Sequence, residues 1–170
     1  MDRRFRIQVV MGRLGGKGKK NLGTNLAVFV GAPLVLNGII FALGWNRPRA
    51  KAAGIPPGWV VGSLWLLLFA GMGAARWQLE SASTSLFRDR RAEWVSLLAF
   101  LCLTYPLYTE GLRDDRIGLG GNIVTALVSF AAVERVARRS QTAALLLLPT
   151  CLWLSYAAYA TARAVRNGRF

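Results

Sequence analysis

The feature that most constrains this chain is an uncharged apolar run, PPGWVVGSLWLLLFAGMG, which extends from Pro56 to Gly73. Four comparable apolar blocks accompany it, and the charged residues lie almost wholly between the blocks. A helix of about 20 apolar residues, with a rise of about 1.5 Å per residue, crosses a hydrocarbon core of roughly 30 Å. The blocks therefore predict membrane-spanning helices, not the amphipathic helices of a water-soluble core.

The block boundaries predict an all-α integral membrane protein with five transmembrane helices. We divide the chain into a basic N-terminal tail (1–21), a five-helix transmembrane domain (22–165) and a C-terminal tail (166–170). The expected spans are about 22–45, 56–76, 93–111, 117–135 and 140–163. The second span is expected to end near Arg76, where a charged connector begins. Five spans place the two termini on opposite sides of the membrane.

The net charge of +14 would suggest nucleic-acid binding if the protein were soluble. In a membrane protein, Lys and Arg flank the spans, where they meet lipid headgroups and set the orientation. We therefore expect membrane lipid as a partner and no nucleic acid. Of the 22 Lys and Arg residues, 14 lie on the side of the N-terminal tail and 8 on the other. This bias favours a cytosolic N-terminus, but it depends wholly on the tail.

Two kinds of chemistry are disfavoured by the residue types present. The chain has no histidine, which excludes histidine-ligated haem, histidine-based acid–base catalysis and most zinc sites, and we expect no metal site. No acid–base pair lies plainly inside an apolar block, because Glu110 and Glu134 close spans. The composition therefore favours a binding protein over an enzyme.

Small residues four positions apart recur in the second span, as Gly58 with Gly62 and Gly71 with Ala75. Such pairs let a second helix backbone approach closely in lipid. These two faces would either pack spans within one chain or form a homodimer.

Two sequence blocks carry the family resemblance. The first block is the loop pattern W-Y-x-x-L-x-K-P-x-W-x-P-P, followed directly by the span pattern W-V-x-G-P-x-W-x-x-L-Y-x-x-M-G. The chain matches the loop pattern at Trp45, Lys51, Pro56 and Pro57. It matches the span pattern at Trp59, Val60, Gly62, Trp65, Leu68, Met72 and Gly73. The second is L-P-Y-L-x-W-x-x-F-A-T, which it matches at Leu148, Pro149, Trp153 and Ala157. With these blocks in this order, the chain resembles the translocator protein family, also called tryptophan-rich sensory proteins or peripheral-type benzodiazepine receptors.

The resemblance implies a five-transmembrane-helix bundle enclosing a ligand cavity that the first loop closes. Members of this family bind porphyrins, haem-like tetrapyrroles, cholesterol and synthetic ligands. The expected function is a membrane receptor or transporter-like protein that binds tetrapyrroles (porphyrin, haem) and sterol-like lipids and requires no cofactor. Two alternatives stay open: a light-dependent oxidative porphyrin-degrading enzyme that uses the cavity tryptophans, and a structural membrane protein that has lost ligand binding.

The resemblance implies that Trp65 and Trp153 face the cavity from the second and fifth spans, and core packing is the alternative for both. Lys51 lies in the first loop, where it could meet the propionates of a porphyrin or be a solvated loop charge. The expected ligand-binding residues are Trp65, Trp153, Trp59, Phe69, Met72, Pro106, Tyr156, Ala157 and Lys51, and in a porphyrin-degrading enzyme Trp65 and Trp153 would be catalytic.

The chain departs from the family pattern at positions expected near the cavity. Asn46 and Gly54 replace aromatic residues of the loop, Leu101 and Thr104 replace an asparagine and a tryptophan of the third span, and Thr161 replaces an asparagine of the fifth. The ligand could therefore differ while the scaffold stays. Family members occupy bacterial, mitochondrial outer and plant secretory membranes, and the usual family orientation has a cytosolic C-terminus, against the charge bias.

Overall fold

The computed structural model describes residues 21–44, 58–82, 90–112 and 115–166. All the regular structure in these ranges is helical. The five helices are α1 (Leu22–Ala42), α2 (Gly58–Ala82), α3 (Arg90–Leu112), α4 (Asp115–Ala137) and α5 (Gln141–Arg166). Each helix coincides with one of the five apolar blocks, and the expectation of an all-α chain is confirmed.

Four of the five helices are long and apolar enough to cross a membrane within the described ranges: Leu22–Ala42, Gly58–Ala82, Arg116–Ala137 and Gln141–Arg166. The remaining helix, α3, has 23 residues. It packs against α2 and α4, and its length of about 34 Å matches the thickness of a hydrocarbon core. The described charged side chains of α3, Arg90, Arg91 and Glu93, all lie at the beginning of the helix.

Large apolar side chains cover the outside of the bundle. They are exposed on every helix, and examples are Val35, Leu67, Phe100, Leu127 and Leu152. Apolar exposure on this scale is unusual for a protein surrounded by water. It is the surface expected of helices that face lipid.

The contacts between helices give their order around the bundle. α1 packs on α2, α2 on α5, α5 on α4, and α4 on α3, while α3 returns to α2 and more lightly to α1. The helix order around the ring is therefore α1, α2, α5, α4, α3. The second and fifth helices, which carry the two family blocks, are neighbours.

The beginnings of α1 and α3 and the end of α2 lie at the same end of the bundle. The Arg76 guanidinium carbon lies 5.9 Å from the centre of the Phe29 ring. The turn after α4 is at the same end, because Arg139 Nη2 donates to the Ala82 carbonyl at 3.1 Å. We call this end the N-terminal face, since residue 21 lies there, and the opposite end the C-terminal face.

Contacts of α4 with its neighbours complete the arrangement of the two faces. Near the N-terminal face, the Arg135 guanidinium carbon lies 4.0 Å from the centre of the Trp94 ring. Near the C-terminal face, Asn122 contacts Tyr105 of α3 and Thr161 of α5. Consecutive helices therefore run in opposite directions, and the first and last described residues lie at opposite faces.

Two glycines hold α2 close to its neighbours. A Cβ atom at Gly71 would lie 2.9 Å from the Leu146 carbonyl oxygen of α5, and one at Gly73 would lie 3.1 Å from Phe29 Cβ of α1. Of the two small-residue pairs in the sequence, the one at Gly71 therefore packs helices within the chain. At Gly58 and Gly62 a Cβ would have no described atom within 4 Å.

The second helix continues six residues beyond its expected end near position 76. Arg76 is only 9% exposed and therefore belongs to the helix interior, not to a solvated connector. Its Nε donates to Glu80 Oε1 at 3.0 Å, one turn further along the helix. This internal pairing compensates the charge, which is why the helix can bury an arginine without ending.

The apolar core is concentrated in the half of the bundle near the N-terminal face. Side chains without exposed surface there are Met72, Leu79, Val95, Leu98, Val136 and Leu147. Towards the C-terminal face, no residue is buried between 58 and 67 of α2 or between 155 and 166 of α5. The interface between α2 and α5 is therefore tightly packed at one end and more open at the other.

Candidate ligand-binding site

The inward face of α2 changes from closed packing to partial exposure at Trp65. Trp65, Phe69 and Met72 follow one another at spacings of four and three, so they share a face of the helix. Met72 has no exposed surface and Phe69 is buried, whereas Trp65 is half-buried. The Trp65 and Phe69 ring centres are 5.9 Å apart. Phe69 and Met72 thus form a floor on which the Trp65 ring rests.

On α5 a matching stripe faces α2. Leu146, Thr150, Trp153 and Ala157 recur at spacings of four, three and four, which places them on one side of the helix. The Leu146 carbonyl marks this side as the one that contacts α2, because it faces Gly71. Trp153 and Ala157 are half-buried. The fifth helix therefore presents Trp153 towards the more open part of the interface with α2.

The Gly71–Leu146 contact sets the relative depth of the two tryptophans. Trp65 lies six residues from Gly71 and Trp153 lies seven residues from Leu146, both towards the C-terminal face. At about 1.5 Å per residue, these offsets correspond to about 9 Å and about 10.5 Å. Trp65 and Trp153 are therefore at the same depth on neighbouring helices.

A third wall comes from α3. Pro106 follows Ala99 and Cys102 at spacings of seven and four on the inward side of that helix. Ala99 and Cys102 are buried and Pro106 is half-buried. On α3, as on α2, the inward side chains thus change from buried to half-buried towards the C-terminal face. Leu101 and Thr104 are also half-buried, and the Thr104 hydroxyl donates to the Leu101 carbonyl at 3.1 Å.

Trp59 and Tyr156 are more exposed than Trp65 and Trp153. Trp59 is 76% exposed and lies about 120° around the helix from Trp65. Tyr156 is 44% exposed and its ring centre is 5.6 Å from that of Trp153, so it supports Trp153 from the outer side of α5. Lys51, Asn46 and Gly54 lie outside the described residues.

A buried polar cluster links three helices near the C-terminal face. The amide nitrogen of Asn122 donates to Tyr105 Oη at 3.3 Å and to Thr161 Oγ1 at 3.0 Å. Thr161 in turn donates to the Ala157 carbonyl at 2.8 Å, and Asn122 is almost fully buried. Asn122 was not among the residues predicted from the sequence. The sequence feature that could have identified it is an amide within an otherwise apolar span, because such a group in lipid is expected to bond a partner on another helix.

The layer combines aromatic, apolar and hydrogen-bonding side chains. Within the described ranges, no group of three or more His, Cys, Asp or Glu residues could hold a metal ion. Two ion pairs, Arg76 with Glu80 and Arg138 with Glu134, lie near the N-terminal face. Two indole rings at one depth, with an apolar floor and a polar cluster towards the C-terminal face, suit a flat apolar molecule with polar edges.

Comparison with known families agrees with this architecture. The model of the TspO/MBR family matches residues 24–166. The chain belongs to the TspO/MBR family. No curated protein matches the chain. The resemblance to tryptophan-rich sensory proteins is therefore confirmed, and with four helices able to span a membrane the protein is an integral membrane protein of the TspO/MBR family.

Proposed function

We propose that this TspO/MBR protein binds tetrapyrroles such as porphyrin and haem, and sterol-like lipids, in a cavity between α2, α3 and α5. The observation that carries the proposal is the common depth of Trp65 and Trp153, both half-buried at the point where the core packing ends. Tryptophans used only for core packing would be enclosed like Met72, which has no exposed surface.

The shape and polarity of the layer favour a flat ligand. Indole faces offer the large apolar area that a macrocycle or a sterol ring system needs, and aromatic pairs contribute beyond the area they bury. Ligand pockets combine such walls with a few polar groups that fix orientation. Here the polar groups are Tyr105, Asn122 and Thr161, and Thr161 lies eight residues, or about 12 Å, from Trp153 along α5.

Cations of the first loop would complete the site. The helix ends that this loop joins, Ala42 and Gly58, both lie at the C-terminal face, where the interior is more open. The loop sequence contains Arg47, Arg49 and Lys51. A ligand with carboxylates on one edge would therefore be oriented with that edge towards this face and its apolar body between the tryptophans.

A fluorescence titration tests the proposal. Protoporphyrin added to the purified protein in detergent should quench tryptophan emission saturably. Trp153→Phe should weaken the affinity about tenfold, the effect of about 1.4 kcal/mol of lost stacking. The matched control is Trp59→Phe, which removes the exposed indole of the same region and should leave the affinity unchanged. Linear, non-saturable quenching of the wild type would overturn the proposal.

A further inference from the structure

Thr150 of α5 is an unpaired hydroxyl inside the bundle. It has no exposed surface, and its Oγ1 has no hydrogen-bond partner among the residues that the structure describes. Other buried hydroxyls of the described helices do have partners: Thr125 donates to the Gly121 carbonyl at 2.8 Å and Ser129 to the Ala126 carbonyl at 2.7 Å. A buried polar group without a partner is costly, and in a native protein it calls for an explanation.

The position of Thr150 relates it to the tryptophan layer. It lies on the stripe of α5 that faces α2, four residues beyond Leu146 and three residues before Trp153. These offsets place it about 6 Å above the Gly71–Leu146 contact and about 4.5 Å below Trp153. Thr150 is therefore the polar side chain between the closed half of the bundle and the layer in which we place the ligand.

The buried neighbours of Thr150 on α5 and the α2 residue at its depth are apolar. Its buried neighbours on α5 are Leu147, Cys151 and Leu154, and Leu68 of α2 lies at the same depth. The described charge on α2 nearest in sequence to Leu68 is Arg76, eight residues or about 12 Å further along the helix. Because a charged group would be strongly disfavoured in such surroundings, a partner for this hydroxyl must be uncharged.

We propose that Thr150 hydrogen-bonds a neutral hydroxyl or carbonyl on the leading edge of the ligand that enters between Trp65 and Trp153. This inference rests on the proposed function. Thr150 is fully covered by protein, whereas Trp65 and Trp153 are only half-buried, so a ligand would reach Thr150 by displacing side chains of the tryptophan layer. A tetrapyrrole with a hydroxyl or carbonyl opposite its carboxylates would then have its carboxylate edge towards the C-terminal face and the opposite edge on Thr150.

Two porphyrins provide a matched pair of probes. Protoporphyrin and haematoporphyrin have the same propionates, but on the opposite edge the first carries vinyl groups and the second 1-hydroxyethyl groups. We measure the dissociation constants of both for the wild type, Thr150→Val and Thr150→Ser. The ratio of the two constants isolates the contribution of the hydroxyl, because each variant serves as its own control for folding and for stacking.

The proposal predicts that Thr150→Val shifts this ratio about tenfold against haematoporphyrin, the effect of leaving one buried hydrogen bond unmade. Thr150→Ser, which keeps the hydroxyl, should retain the wild-type ratio, and Thr150→Cys, a weak hydrogen-bonding group, should be intermediate. The ligand-free melting temperature of Thr150→Val should not fall, since it removes an unpaired hydroxyl.

An unchanged ratio in Thr150→Val and Thr150→Cys would overturn the assignment while leaving the proposed function in place. It would mean that the hydroxyl bonds the Leu146 carbonyl of its own helix or a trapped water. Absence of saturable binding of either porphyrin to the wild type would instead refute the proposed function, and the role of Thr150 with it.

Discussion

Gly71 of α2 and the backbone of Leu146 in α5 meet so closely that a single added carbon at Gly71 would lie 2.9 Å from the Leu146 carbonyl oxygen. The contact brings together the two helices that carry Trp65 and Trp153 and sets the offset between them. Since the obstructing atom belongs to the helix backbone, no side-chain rotation can relieve the clash that a larger residue at this position would cause. The depth match of the two tryptophans therefore depends on this glycine.

Gly71→Ala should lower stability by about 1–3 kcal/mol, because the methyl group overpacks a backbone contact that cannot yield without moving α5. It should also weaken porphyrin binding, because any shift of α5 misaligns Trp153 with Trp65. Thermal unfolding in detergent and a porphyrin titration measure the two effects. Gly62→Ala is the matched control, since a Cβ there would meet no atom of the described helices within 4 Å. Equal melting temperatures for the two variants would show that the close contact has no energetic role.

Asn122→Leu should destabilise the bundle by about 1–3 kcal/mol, because it removes the donors to Tyr105 and Thr161 and leaves those groups to find other partners. The effect should be non-additive with Thr161→Val, since both substitutions remove the same hydrogen bond. Asn37→Leu, on an exposed position of α1, is the control. Strictly additive melting shifts for Asn122 and Thr161 would contradict the bridging role of the amide.

Glu80→Ala should destabilise the protein by about 3–5 kcal/mol, because it leaves the nearly buried guanidinium of Arg76 without its carboxylate partner. Replacing both residues with apolar ones, as in Arg76→Met with Glu80→Leu, should cost much less than the single change. Glu134→Ala breaks an exposed pair with Arg138 and should leave the melting temperature nearly unchanged. A double variant less stable than Glu80→Ala would show that the ion pair itself stabilises the helix.

The five helices could be predicted from the apolar blocks, because lipid imposes a minimum length and few charges on each span. The end of α2 could not be predicted, because an arginine after an apolar run indicates the start of a loop, and its pairing with Glu80 is visible only in the structure. The sequence also did not distinguish the two small-residue pairs. In the structure Gly71 contacts the backbone of α5, whereas a Cβ at Gly58 or Gly62 would meet no described atom within 4 Å. The register between helices depends on contacts that one sequence does not display.

The relative depth of the candidate site residues could not be predicted from the sequence, because it too depends on the register between helices. Trp65 and Trp153 could be selected from the family blocks, and the structure brings them to one depth. Trp59, which belongs to the same block, is on another face of α2, because a spacing of six residues does not return to the same side of a helix. The amide of Asn122 was missed because its partners lie 17 and 39 residues away in the sequence.

The binding proposal and the photochemical alternative differ in what light does to the bound porphyrin. If the protein only binds, illuminated protoporphyrin should lose its Soret absorbance at the same rate with the wild type as with Trp65→Phe, each measured at saturation. A rate that requires Trp65, with repeated turnover, would instead identify a porphyrin-degrading enzyme.

The most direct test of ligand binding between the two tryptophans is a double-mutant cycle on protoporphyrin affinity with wild type, Trp65→Phe, Trp153→Phe and the double variant. We expect about tenfold weaker binding in each single variant. The double variant should be weakened by clearly less than the product of the two, because both rings contact the same macrocycle and loss of one leaves the other less well placed. Affinities within twofold of the wild type in both single variants would contradict a ligand held between Trp65 and Trp153.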